Sequence, residues 1–413
     1  MSDLFLGLDI GTSGARALVI DRSGKVQAEA KSLMSDHGPD HRSPAVWLAA
    51  AKTVVRKVTA EVASENIRSM SVDGTSGTML AVDANGSAIS SGIMYNDTCE
   101  DADLLERITN ASPETTAARG ATSGLARAAR LSVDFRPFKV LHQADWIAVQ
   151  FGAPMMTDEN NALKTGYDPI RGEWARWVSE LIDINLLPEV VPAGQVIGSV
   201  GANDCGLPKT CLIVSGTTDG CASFLATGAD QSGDGVSALG TTLTIKLLSD
   251  KPIFAPEYGI YSHKVIGLWL AGGASNTGGN VLLSEFGDAD LSALSSDIDP
   301  ETDTGLDYYP LSKVGERFPI NDPSLAPRLG PRPAQDAEHL KAVFEGIANI
   351  EALAYRRLAE LGAPHLRSVR TVGGGASNAI WSRIRARRLG VDLPAPQSGE
   401  AAYGAAVLAR AAV

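Results

Sequence analysis

Two short stretches far apart in the chain share one chemistry. The first is Leu8-Asp9-Ile10-Gly11-Thr12-Ser13-Gly14-Ala15-Arg16 and the second is Ala238-Leu239-Gly240-Thr241-Thr242-Leu243-Thr244-Ile245-Lys246. In each, a strand-like run enters a turn of glycine and hydroxyl residues and leaves as another strand-like run. Such a hairpin aims backbone N–H groups and Ser/Thr hydroxyls at whatever occupies its turn, which suits phosphate oxygens. Thr12, Ser13 and Gly14 would serve phosphates from the first turn, Gly240 and Thr241 from the second. Asp9 stands immediately before the first turn. Its carboxylate fits a Mg²⁺ ligand acting through water, since Mg²⁺ prefers oxygen and keeps much of its hydration; a plain turn-forming Asp is the competing reading. Asp219 follows Gly216-Thr217-Thr218 at the start of a predicted helix. It is either a helix cap or a base that takes a hydroxyl proton while a phosphoryl group transfers. The protein's part in that transfer is mostly positioning and charge neutralisation.

A third glycine turn, Gly373-Gly374-Gly375 followed by Ala376-Ser377-Asn378, would let a planar ligand approach the backbone. Trp381 lies three residues beyond Asn378, on the same helix face. It either packs in the core or lies against an adenine. Neither GxxxxGK[ST] nor GxGxxG occurs, so a nucleotide would be held by a scheme other than the P-loop or the dinucleotide fingerprint. Cys99, Cys205, Cys211 and Cys221 form no CxxC pair and have no zinc-ligand spacing; they read as thiols of a reducing compartment. The six histidines make no ligand set; His263 and His142 read as structural or packing residues.

The elements that must position these groups follow from pattern. Leu4 to Leu8, Ala15 to Asp21 and Lys25 to Lys31 read as strands, Pro44 to about Ser64 as a helix, and Ile67 to Val72 and Thr78 to Val82 as strands. Phe138 to Gln150 and Glu173 to Ile184 read as helices, as do Cys221 to Ala229, a stretch from about Asn276, Gln335 to Leu361, and Glu400 to Ala412. Strands precede the glycine turns at Leu212–Ser215, Leu268–Ala271 and Val369–Val372. The pattern is α/β with some antiparallel strands, and its second half repeats the logic of the first. The 413 residues give a prior of two to three domains, with the boundary near Thr227. A net charge of −12 argues against nucleic acid and anionic membrane as partners. The N-terminus carries no basic signal-peptide region and no apolar run is long enough for a span, so a cytoplasmic protein is expected.

Taken together, these residues resemble the FGGY carbohydrate kinase family. The matching pieces, in family order, are Asp9-Ile10-Gly11-Thr12-Ser13, Asp73-Gly74-Thr75-Ser76-Gly77, Tyr95-Asn96-Asp97, Gly216-Thr217-Thr218-Asp219-Gly220, Leu239-Gly240-Thr241-Thr242, Gly373 to Asn378, and the closing Glu400-Ala401-Ala402-Tyr403-Gly404-Ala405-Ala406. The resemblance implies two related ribonuclease H-like domains of the actin/Hsp70/sugar kinase type, with a cleft between them that closes on the sugar. The expected division is residues 1–226, completed by 399–413, as the sugar-binding domain and 227–398 as the nucleotide-binding domain. It also implies ATP and Mg²⁺, with Asp9 and Asp219 holding the metal through water and Asp219 as base. Phosphate contacts fall to Thr12, Ser13, Gly14, Arg16, Gly240 and Thr241, and adenosine contacts to Gly374, Gly375, Asn378 and Trp381. Substrate contacts fall to Asp9, Ser76, Asn96, Asp97 and Asp219.

Within the family the chain looks like a compact branch of cyanobacteria and plants, similar to D-ribulose kinases though often labelled xylulose kinase-like. Gln143-Ala144-Asp145-Trp146, Tyr261-Ser262-His263-Lys264 and Gly315-Glu316-Arg317-Phe318-Pro319-Ile320 are among the shared segments. Many xylulose kinases carry Met-His-Gly where this chain has Asp73-Gly74-Thr75-Ser76, a departure that favours Ser76 as a sugar-hydroxyl partner. D-ribulose is therefore the expected acceptor, giving D-ribulose 5-phosphate. D-xylulose, a polyol, or a non-catalytic nucleotide switch of the same fold are the alternatives. The Ser123 to Phe135 stretch departs from the branch, and its Arg127 and Arg130 read as solvated helix charges. An oligomer is possible but not derivable.

Overall fold

A computed structural model describes residues 3–413. The chain divides into two compact units. The first runs to Ala226 and takes in His263–Ile266 and Glu400–Val413; the second comprises Thr227–Ser262 and Gly267–Gly399. The excursion of His263–Ile266 into the first unit has no counterpart in the sequence pattern. Among the described residues no helix is long and apolar enough to cross a membrane.

The first unit is organised by four strands, β1 (Leu4–Ile10), β2 (Gly14–Asp21), β3 (Val26–Leu33) and β4 (Ile67–Gly74). They lie in the order β4-β1-β2-β3, extended beyond β4 by Leu212–Val214 and Val196–Ser199. β1 is buried along its whole length, as its apolar run Leu4–Leu8 requires when both faces of a sheet are covered. β3 alternates exposed and buried residues, as an edge strand facing water should. One face receives the helix Pro44–Glu61, whose Val46, Trp47, Ala50, Val54, Val55 and Val58 are buried. The other receives the helix Ala401–Ala411. A Cβ on Gly7 would fall 1.8 Å from the carbonyl oxygen of Ala402, so only glycine allows helix and strand to cross this closely.

The second unit repeats the plan. Its strands Leu268–Ser275, Leu243–Ser249, Asp234–Leu239 and Ser368–Val372 are neighbours in that order. The first two contacts are antiparallel and the last is parallel. In the first unit β3, β2, β1 and β4 show the same sequence of pairings. Duplication is thus visible in topology, and it makes the turn after β4 the counterpart of the Gly373 turn.

Three elements differ from expectation. Phe138–Gln150 is not one helix: Lys139–His142 pairs as β6 with β5 (Met79–Val82), and the helix starts at Gln143. Val140 and Leu141 are fully buried in that ladder, and pairing outweighs local propensity. Glu173–Ile184 is a two-residue strand, Glu173–Trp174, followed by a 3₁₀ turn over Arg176–Glu180. The turn still buries Val178, so the helix-like spacing was satisfied by a tighter geometry. The helix Ala102–Ala111 went unread, although Asp101 caps it by accepting from the N–H of Leu104 at 2.9 Å.

Candidate active site

Three carboxylates gather at the C-terminal ends of the first unit's parallel strands. Asp9 on β1 is the register partner of Asp73 on β4 and of Arg16 on β2, so all three side chains leave the same face. Asp9 is 5 % exposed and Asp73 fully buried. Arg16 donates from Nη1 to Asp9 Oδ2 at 3.2 Å and sets its Nε 3.4 Å from Glu400 Oε2. No donor reaches either oxygen of Asp73. Burial first, then the neighbouring charges of Asp9 and Asp219, push the Asp73 carboxyl well above the usual range. Burial also raises Asp9, against the pull of Asp73 and Arg16.

Asp219 opens the helix Asp219–Ala226 beside this pair. A parallel bridge between Gly74 and Thr218 brings its strand alongside the end of β4. Sequence left Asp219 between cap and base. The capping work falls to Thr218, whose hydroxyl accepts from Cys221 N at 3.3 Å and whose carbonyl accepts from Ala222 N at 2.9 Å. Asp219 Oδ1 accepts from Gly220 N at 2.8 Å. The helix start therefore does not need the Asp219 side chain as its cap. Oxygen-only donors suit Mg²⁺, and among the described residues no three acidic, His or Cys groups converge closely enough to chelate an ion directly. The residues present fit a hydrated Mg²⁺ held by Asp9 and Asp219.

The turn after β4 carries Ser76, whose Oγ is buried with no partner. Arg127 reaches the same turn and corrects the reading of a solvated charge. It is 3 % exposed and donates to the carbonyls of Gly77 at 3.1 Å, Thr122 at 2.8 Å and Tyr95. Arg130 is the exposed one, paired with Asp134. Asn96 is exposed, and the Asp97 carboxylate is taken up by Arg42 and by Met94 N at 2.8 Å. Arg42 and the Met94 amide hold the Asp97 carboxyl below its usual range, Arg42 contributing most. The segment lies against the Ser76 turn: Tyr95 N donates to Thr78 Oγ1 at 3.3 Å, and Arg127 joins the carbonyls of Tyr95 and Gly77. In the first hairpin Thr12 and Ser13 are exposed, as phosphate contacts must be. Gly14 is buried under β3, where a Cβ would lie 2.6 Å from Ser32 O. Arg16, expected on phosphate, uses Nη1 and Nε on Asp9 and Glu400.

A buried polar cluster that sequence reasoning missed backs this site. Asn160 donates to Thr217 Oγ1 at 3.0 Å and to Lys264 O at 2.9 Å, and accepts from Lys264 N at 2.9 Å. It thereby ties His263–Ile266 to the strand end that leads to Asp219. Asp158 caps the short helix Glu159–Leu163 through Asn160 N and Asn161 N at 2.8 and 3.1 Å. Burial, then the charge of Asp145, pushes Asp158 up to about 7. A group raised in the folded state binds its proton more tightly there, so its stabilising contribution is complete below the ordinary carboxylate range. That contribution fades as pH climbs through about 7. Urea midpoints are therefore expected to fall between pH 6 and 8. Asp158→Asn, which keeps an acceptor for both amides, should flatten that slope; an unchanged slope would count against the shift.

In the second unit the turn Gly240-Thr241-Thr242 joins two antiparallel strands and leaves Gly240 and Thr241 exposed. The start of the helix Gly279–Phe286 fixes it: Gly279 N donates to Gly240 O at 2.8 Å and Asn280 N to Thr241 O at 3.0 Å. The third turn begins at Gly373, with φ +87°, where a Cβ would sit 2.7 Å from Leu239 O. Gly374 is open, with nothing within 4 Å of the Cβ position. Asn378 caps the helix Ala379–Leu389, accepting from Trp381 N at 2.9 Å and donating to Ser295 Oγ at 3.0 Å. Trp381 is 2 % exposed and stacks on Phe344 at 4.7 Å and 7°, with its edge beneath Gly375. Trp381 thus supports the turn from the core and offers no open face to a base, which corrects its reading as an adenine contact.

Known proteins agree with this architecture. The N-terminal domain of the FGGY family of carbohydrate kinases matches residues 4–122 and its C-terminal domain matches residues 235–413. A xylulose kinase of Klebsiella pneumoniae is 23 % identical over 448 aligned residues, covering 99 % of this chain and 90 % of that protein. A gluconokinase of Bacillus subtilis is 22 % identical, covering 99 % and 87 %. The crystal structure of a xylulose kinase from Bifidobacterium adolescentis superposes with a TM-score of 0.80 at 20 % identity, over 100 % of this chain and 93 % of that one.

Proposed function

The chain belongs to the FGGY family of carbohydrate kinases, and on that premise we propose that it phosphorylates the terminal hydroxyl of a ketopentose, D-ribulose foremost. ATP is the phosphoryl donor, and D-ribulose 5-phosphate and ADP are the products. The observation that carries this reading is the unpartnered Ser76 hydroxyl on the turn that follows Asp73, with Asp9 and Asp219 at the neighbouring strand ends. A small hydroxyl there, in place of Met-His, leaves room and hydrogen-bonding capacity for a sugar hydroxyl. Asp219 accepts the proton of the attacking hydroxyl as its oxygen bonds to the γ-phosphorus. The bond from that phosphorus to the bridging oxygen breaks, and ADP leaves with the electron pair. Mg²⁺, when bound, neutralises charge on the phosphate oxygens. Asp9 would hold it through water, and Arg16, itself paired with Glu400, holds Asp9 in place. The hydroxyls and amides of Thr12, Ser13, Gly240 and Thr241 contact phosphates, while Gly374 and Gly375 leave room for the nucleoside.

D-xylulose is the second reading, since xylulose kinases are among the relatives across nearly the whole chain. An ADP-release assay over D-ribulose, L-ribulose, D-xylulose, L-xylulose, ribitol and glycerol decides between them. D-ribulose should give the highest kcat/KM. A D-xylulose value tenfold higher would overturn the assignment.

A further inference from the structure

Gln143 is a buried polar side chain to which neither the fold nor the proposed chemistry gives a task. It is fully buried, and neither its amide oxygen nor its amide nitrogen has a partner. It opens the helix Gln143–Phe151, where its backbone N–H donates to Thr78 O at 2.9 Å. The next residue packs against β4's end: a Cβ on Gly74 would lie 3.5 Å from Ala144 N. Gln143 therefore abuts the 74–78 turn that carries Ser76 and directly follows Asp73. The side chains of Asp73, Ser76 and Gln143 all hold buried polar atoms without partners. Native interiors leave few such atoms, and each group of them calls for an explanation.

We propose that Gln143 is a specificity-determining residue, whose side-chain amide binds hydroxyls of the acceptor other than the one that is phosphorylated. The inference rests on the sugar kinase reading above and extends it. An amide sets a donor and an acceptor side by side, so it can take two adjacent hydroxyls, one donating to it and one accepting from it. A site built this way rejects an acceptor that lacks the matching hydroxyl, because its own buried groups then stay unsatisfied. The same logic implies that Gln143 is a burden on the free protein.

Gln143→Leu, similar in volume and without polar atoms, separates recognition from structure. The thermal midpoint of the free protein should rise, and the stabilisation that D-ribulose alone gives the wild type should vanish. The kcat/KM for D-ribulose should drop about 10²-fold or more, with the KM for ATP unchanged. Gln143→Glu, which keeps one acceptor and loses the N–H donors, should reorder the acceptor panel. A lower thermal midpoint in Gln143→Leu together with a changed KM for ATP would mark a structural residue and overturn the proposal. So would unchanged kcat/KM for D-ribulose in both variants. If the wild type phosphorylates none of the six acceptors, the ketopentose reading itself fails. If it phosphorylates one and both variants match it, only the role of Gln143 fails.

Discussion

Asp219→Ala should cost about 10²-fold or more in turnover, while binding of ATP without Mg²⁺ stays close to that of the wild type. The turns assigned to the nucleotide belong largely to the second unit, and Asp219 lies in the first. The fold of the first unit should survive, because Thr218 and not Asp219 caps the helix. Asp219→Asn is the sharper variant. It keeps shape and an acceptor for Gly220 N but cannot take a proton, so its turnover should fall about as far. Both variants should also lower the Asp73 carboxyl toward its ordinary range, since the Asp219 charge is one cause of its elevation. Steady-state kinetics with a titration of nucleotide binding checks the first claim. Near-wild-type turnover in either variant would remove Asp219 as the base.

The parts of this site that were legible in the sequence are those in which local chemistry and chain order coincide. A glycine-hydroxyl turn between two strand-like runs reads as a phosphate hairpin whether or not its surroundings are known. Asp9 and Asp219 are conspicuous because each borders such a turn. The illegible parts depend on partners distant in sequence. Arg127 looked like a helix-surface charge because nothing local shows that Gly77, Tyr95 and Thr122 supply carbonyls to it. That Arg42 pairs with Asp97 is equally hidden, because the two lie fifty-five residues apart. Trp381 is three residues from a nucleotide-type turn, yet Phe344 on another helix claims its face. The only local hint for Asp73 was its place in a shared motif. What makes it unusual, the absence of any donor beside a register-paired carboxylate, emerges only when β1 and β4 lie side by side.

A second large effect is expected far from the carboxylates, in the core of the second unit. Glu351 and Arg385 are both fully buried. Arg385 donates from Nε and Nη2 to the two Glu351 oxygens, each at 2.7 Å, and from Nη1 to Thr371 Oγ1 at 2.8 Å. Glu351 Oε1 also accepts from Ser237 Oγ at 2.5 Å, and Ser237 lies 3.0 Å from the Tyr355 hydroxyl. Burial alone would lower Arg385, but the facing carboxylate more than compensates and holds the guanidinium charged. Ser237 and Thr371 are register partners on adjacent parallel strands, each two residues before a glycine-turn anchor, Leu239 and Gly373. Removing one partner leaves the other charge buried without an ion partner, which typically costs about 3–5 kcal/mol. Glu351→Leu and Arg385→Leu should each lose stability of that order in denaturant titrations. The double variant should recover much of it, because apolar side chains of similar bulk often replace a buried pair at little cost. Such non-additivity is the mark of a coupled pair. The double variant should nevertheless bind ATP more weakly than the wild type, since the two strand ends lose the bidentate link that sets the turns. Wild-type nucleotide affinity in a stable double variant would show that the pair serves the core alone.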